Sequence, residues 1–203
     1  AFGIGSTEVA HVLATQTLVQ RKPKAMRLRI DGELAFGVSA KDLILHAIAR
    51  FGAAAGTDHA IEYAGSVVER MDIEARLTLC NLSVEMGAKF GFVAPDATTL
   101  AYVQGRPFAP TGADFERAAA HWASLHTDPA ARFDRDLSLD AASVAPTVTW
   151  GTSPEHAIAI DQKIPDPAQD AVNRGPWQAA LDYMGLRAGH AIAGTPIDLA
   201  FIG

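Results

Sequence analysis

The sequence predicts an α/β protein, and three observations carry that reading. In "AMRLRIDGE" (25–33) Met26, Leu28 and Ile30 alternate with Arg27, Arg29 and Asp31, the period of a half-buried strand. "SAKDLILHAIARFG" (39–52) then has the marks of a helix: Ser39 to cap it, Asp42 near its start and Gly52 to end it. Beyond it, extended and helical patterns keep alternating, which implies helices layered on a sheet.

Taken in order, "STEVAHVLATQTLVQ" (6–20) reads as a helix capped by Ser6 or Thr7, with Val9, Val12, Leu13 and Leu18 on one broad face. Pro23 ends it by disfavouring helical geometry at Lys22. The 25–33 strand runs into a turn at Asp31-Gly32, and the 39–52 helix follows. "GTDHAIEYAG" (56–65) reads as loop, short strand and loop, and "IEARLTLCNLSVEMGAK" (73–89) as one helix with Gly87 near its end. "FGFVAPD" (90–96) is a short strand closed by Pro95, and 96–105 a helix capped by Asp96. After a loop at 106–112 come a helix at 113–125, capped by Thr111 or Asp114, and a strand at 132–140. "TVTWG" (147–151) is a strand or extended segment, 164–176 a Pro-rich loop, 177–186 a short helix and 196–203 a strand. Domain organisation is expected as 1–24, the end of a preceding unit; 25–140, a central α/β unit; and 141–203, a junction leading into a following α/β unit.

Composition narrows the function classes. The chain has 203 residues, 49% of them hydrophobic and 20% charged, enough for a sizeable core. A net charge of -6 argues against a general nucleic-acid binder, which needs a basic face. A single cysteine, Cys80, excludes an intrachain disulfide and any centre built from several cysteines of these residues. No run of about 18 apolar residues suggests a membrane helix. The first residues lack both a signal-peptide pattern and a starting Met, and the last form an apolar run, so both ends read as cut from something longer.

The chemistry candidates centre on "TLCNLSVEMGAK" (78–89). On a helix Cys80 falls in line with Leu77 and Val84, the position of a small buried hydrophobe rather than a reactive thiol. Asn81 and Glu85 stand one turn apart and can aim at one spot. An amide and a carboxylate so placed could orient a water or hydroxyl and exchange a proton with it; the alternative is a solvated helix face. The seven histidines show no metal-ligand spacing, although His59 lies in a glycine-containing loop before a strand. "AFGIGS" (1–6) only partly matches a phosphate-binding loop, and Ser6 and Ser83 have no nucleophile context.

Taken together, "AFGIGSTEVAHVLATQTL", "SAKDLILHAI", "LTLCNLSVEMGAKFGFVAPDATT", "VAPTVTWGTSPE", "IPDP" and "LDYMGL…PIDLAFIG" resemble the large subunits of isopropylmalate dehydratases, of the aconitase superfamily, over essentially the whole chain. The resemblance implies a three-layer α/β/α sandwich of the aconitase iron–sulfur type, present in part. It implies a cytoplasmic hydro-lyase of leucine biosynthesis acting on a small hydroxy-dicarboxylate, paired with a small subunit, with neither nucleic acid nor membrane as partner. The implied cofactor is a [4Fe–4S] cluster held by three cysteines, which the family pattern places beyond Gly203, so no metal ligand is expected in these residues. Asn81 and Glu85 match family positions near the open iron. Glu85 would hydrogen-bond a hydroxyl or water there and help move its proton, and Asn81 would hydrogen-bond in the cluster's surroundings without being a ligand. Cys80 matches a cysteine that is not a ligand. Where the family commonly has a Gly-rich loop, this chain has "AGTDH" (55–59), which puts the loop's backbone freedom in question at Ala55 and Asp58. A homoaconitase-like relative and a cluster-free binding domain are the rival readings.

Overall fold

The computed structural model describes residues 4–202. Four strands, β1 (Lys24–Asp31), β2 (His59–Ala64), β3 (Phe90–Val93) and β4 (Arg135–Asp140), form a wholly parallel sheet in the order β3-β2-β1-β4. The alternation in the first strand sets its two faces. Met26 and Leu28 lie in register with Ile61 and Tyr63 of β2, and Leu28 and Ile30 with Leu137 and Leu139 of β4, so the apolar side chains form one continuous surface.

Helices α2 (Ala40–Phe51) and α4 (Ile73–Leu82) cover that surface, inserting Leu43, Ile44, Ala47 and Ile48 from one and Leu79 and Cys80 from the other. Both start as the sequence predicts or in kindred fashion. The Ser39 hydroxyl accepts from the Asp42 N–H while the Asp42 carboxylate accepts from the Ser39 N–H at 2.7 Å, and Asp72 caps α4 by accepting from the Ala75 N–H at 2.8 Å. The opposite face of the sheet is polar. Arg27 holds Asp136 through two hydrogen bonds of 3.0 and 2.5 Å, and its guanidinium lies 4.6 Å from the Phe133 ring centre. Glu62, in register with Arg27, accepts from the Thr127 hydroxyl at 2.7 Å. The irregular stretch that supplies Thr127 and Phe133 packs on this polar face. The predicted α/β architecture, a parallel sheet flanked by helices, is what forms.

A second, smaller apolar cluster gathers Trp150, Ile164, Ala180 and Leu181. It joins the antiparallel pair β5 (Thr147–Thr149) and β6 (Ala157–Ala159) to helix α7 (Arg174–Met184). The Thr147 N–H donates to Asp42 Oδ1 at 2.7 Å and the Ala53 N–H to Glu155 Oε2 at 3.2 Å, tying this cluster to both ends of α2.

Several elements depart from expectation. Helix α1 (Ser6–Thr15) stops five residues early, with Gln16 in left-handed geometry (φ 54°), and buries none of its residues. Its N-cap is Gly5, whose N–H donates to Glu8, rather than Ser6 or Thr7. The predicted helix over 73–89 ends at Leu82 and tightens into a 3-10 turn, Val84–Met86. Short helix α3 (Ser66–Arg70) and strand β6 went unpredicted, since both are too short to show a period. Helix α5 (Ala97–Val103) has its Asp96 cap, whereas α6 (Ala113–Ala123) is preceded by Gly112 rather than capped by Thr111 or Asp114. Helix α7 starts three residues before the predicted one, with Pro176 in its first turn, where a missing N–H costs nothing. No strand forms over 196–202, because no other described segment offers it a ladder of hydrogen bonds.

Candidate functional site

The segment that carries Asn81 and Glu85 is built on the sheet's edge. Asn81 lies in the last turn of α4 and Glu85 in the 3-10 turn; both side chains are exposed, and neither makes a hydrogen bond or ion pair among the described residues. A 3-10 turn advances about 120° per residue instead of 100°, which rotates Glu85 roughly 40° further round than a continuous α-helix would. The two groups therefore share the outward side without stacking one above the other.

Inward-pointing neighbours fix this turn. Cys80 is buried, and burial pushes its thiol pKa upward, so it fills space as a small hydrophobe. The stripe expected beside it does not form: Leu77 and Val84 are exposed, and Arg76, Leu79 and Cys80 are the buried members of α4. Ser83, between the two helix types, is wholly buried; its hydroxyl donates to the Leu79 carbonyl at 3.1 Å and lies 2.8 Å from the Tyr63 hydroxyl. Its carbonyl accepts from the N–H groups of Met86 and Ala88, both at 3.1 Å. Gly87 closes the turn at φ 76°.

The 55–59 loop cradles the turn from the other side. The Gly56 N–H donates to the Met86 carbonyl at 2.7 Å, and the Lys89 N–H to the His59 carbonyl at 2.8 Å. A Cβ at Gly56 would come within 2.9 Å of Ala88, so only glycine allows this approach. Asp58 stands at φ 63°, the left-handed region the family's glycine would favour, and aspartate is among the residues that tolerate it. Ala55 has no positive φ and needs no such freedom. A cleft of about 310 Å³ opens beside the turn, lined by Glu8, Thr57, Asp58, Val84 and Lys89 among others.

The remaining candidates lie elsewhere. The His59 ring Nδ1 is 2.7 Å from the Thr57 carbonyl, and His11, His121, His126 and His190 are exposed. Of "AFGIGS", residues 1–3 lie outside the described residues. Sequence reasoning passed over His156, which is buried and stacked on Trp150 at 4.5 Å; nothing in its spacing marks it. Among the described residues no group of three or more His, Cys, Asp or Glu could hold a metal ion. No helix among them is long and apolar enough to cross a membrane.

A parallel sheet flanked by helices is consistent with what comparison of the sequence finds. The chain belongs to the aconitase family (aconitate hydratase), which it matches over residues 1–203. It is 56% identical over 205 aligned residues to the 3-isopropylmalate dehydratase large subunit 1 of Bradyrhizobium diazoefficiens, an alignment covering 100% of this chain. The chain spans 43% of that relative's length.

Proposed function

We propose that this chain is part of the large subunit of a 3-isopropylmalate dehydratase. The whole protein would convert 2-isopropylmalate to 3-isopropylmalate by dehydration and rehydration through 2-isopropylmaleate, in leucine biosynthesis. The observation that carries this reading is the 56% identity, spread over the full chain, to a large subunit of that name. The proposal includes a small subunit as partner, a hydroxy-dicarboxylate as substrate and a cytoplasmic location. Residues 25–140 would form the central unit and 141–203 lead into the next; a first apolar cluster that reaches on to Ala141 and Val144 and a second around Trp150, Ile164, Ala180 and Leu181 support a division near this point.

The family's cluster cannot be seated on these residues. Cys80 is buried within the core, burial pushes its thiol pKa up, and it has no companion cysteine in these residues. The [4Fe–4S] cluster of the proposed enzyme is therefore assigned to cysteines of the whole protein that lie outside this chain. When bound, such a cluster supplies a Lewis acid. This chain's contribution is the proton chemistry. Glu85 would take up and return a proton at a substrate hydroxyl or water, and Asn81 would orient that oxygen through its amide. Their exposure and lack of hydrogen-bond partners among the described residues support these roles, since a carboxylate already engaged within the fold would be a poor proton shuttle.

In the full-length large subunit, cluster-loaded and assembled with its small subunit, Glu85→Gln should lower turnover by about 10²–10⁴-fold while leaving the cluster's absorption intact. Unchanged turnover would remove Glu85 from the mechanism.

A further inference from the structure

Ser83 is midway between Asn81 and Glu85, at the residue where α4 becomes a 3-10 turn. It is fully buried, and so is Tyr63 of β2, whose hydroxyl meets the Ser83 hydroxyl at 2.8 Å. The Ser83 hydroxyl donates to Leu79, so it is left to accept, and the Tyr63 O–H donates to it. Gly91 of β3 supplies the space: a Cβ there would overlap the Ser83 hydroxyl. The turn is thus bonded to β2 and fits closely against β3.

Stability alone does not account for this arrangement. A buried hydroxyl pair contributes little net free energy, and an apolar pair of similar shape can serve equally well. What an apolar pair cannot do is fix the height and rotation at which the chain leaves the helix, because dispersion contacts have no direction while a hydrogen bond does. The Tyr63 ring is anchored in the sheet core, so the bond references the turn to the most rigid part of the fold.

We infer that Tyr63 and Ser83 are positioning residues, a buried peg that sets the orientation of Glu85 relative to Asn81. This inference rests on the proposed acid–base role of Glu85. Burial raises the Tyr63 hydroxyl pKa further above its ordinary value, which keeps the peg a neutral donor throughout the working pH range.

The test uses the cluster-loaded full-length enzyme with its small subunit. Tyr63→Phe and Ser83→Ala should each lower kcat by about tenfold or more, since small misplacements of a catalytic group are costly, while KM changes by less than about threefold. Cluster absorption should be unchanged. Without substrate, the Met86 and Ala88 amides, both bonded to the Ser83 carbonyl, should exchange hydrogen faster in Tyr63→Phe than in the parent. The double variant should be no slower than either single one, and adding Tyr63→Phe to Glu85→Gln should cost nothing further. A Tyr63→Phe enzyme with parental kcat, or with parental exchange at 86 and 88, overturns the inference whatever its melting temperature. If Glu85→Gln turns over normally, the catalytic reading falls, and the exchange measurement still decides whether the peg orders the turn.

Discussion

At the scale of single residues, the chemistry of this chain depends on which polar groups are left free and which are locked. Asn81 and Glu85 are free on the surface, whereas Arg76, five residues before Asn81 on the same helix, is buried and locked. Its guanidinium gives two hydrogen bonds of 2.7 Å to Asp96, and one of 2.9 Å to the Glu69 carbonyl. Asp96 also accepts from the Thr99 N–H as the cap of α5, so one carboxylate joins two helices. The hydrogen bonds from Arg76 lower its pKa to about 2. Because the folded-state pKa lies below the unfolded one, the stabilisation is present in full above about pH 4 and is lost as pH falls towards 2. Asp96→Asn leaves a buried cation without its counter-charge and should cost about 3 kcal/mol, read as a lowered denaturant midpoint in the full protein. The Asp96 cap was legible in the sequence; the buried arginine that uses it was not, since nothing local distinguishes Arg76 from a surface arginine. Asn81 and Glu85 were legible as a pair by spacing, but their chemical promise came from resemblance.

At the scale of elements, the most consequential departure is the tightening of α4 beyond Leu82. In the sequence, 73–89 reads as one helix, weakened towards its end by Ser83, Val84 and Gly87. The helix gives way because Ser83 bonds to a strand and Gly56 bonds to Met86, contacts made by residues about 20 and 30 positions away. The β5–β6 pair shows the same dependence. His156 is stacked on Trp150, Trp177 meets Trp150 edge-on at 5.5 Å, and Gly151 is small enough to leave the His156 ring its place. Burial lowers the His156 pKa, against a smaller opposing pull from Glu155. The neutral ring therefore contributes stability above about pH 6.5 that is lost as pH falls below it. Tryptophan fluorescence of the full protein should shift on going from pH 7 to pH 5, and His156→Phe should abolish that shift. Invariant fluorescence over this range would show that the ring does not titrate into the fold.

At the scale of the whole molecule, much apolar surface faces outward. Leu77 and Val84 flank the candidate site, and Leu199, Phe201 and Ile202, each at least 86% exposed, lie on the extended segment 196–202. Surface of this kind marks contact with other polypeptide, and the chain accounts for 43% of its relative's length. A polypeptide of these residues alone should therefore bind an apolar dye such as anilinonaphthalene sulfonate and scatter light through self-association. The longer protein, assembled as proposed above, should do neither to a comparable degree. Equal dye binding by the two would mean that this surface stays open in the assembled protein.

The sequence by itself determined the α/β class, the strand read over 25–33 and found at Lys24–Asp31, the capped helix that follows it, the buried character of Cys80 and the family. Those properties reside in local period, cap chemistry and motif, which act over a few residues or can be matched by comparison. Only the tertiary structure decided where α4 stops, that Asp58 takes a glycine's conformation, that Ser83 and Tyr63 meet, and that segment 196–202 has no strand to pair with. Each of these depends on a hydrogen bond, a close approach or a missing neighbour between parts of the chain that are remote in sequence, and local patterns carry no record of such contacts.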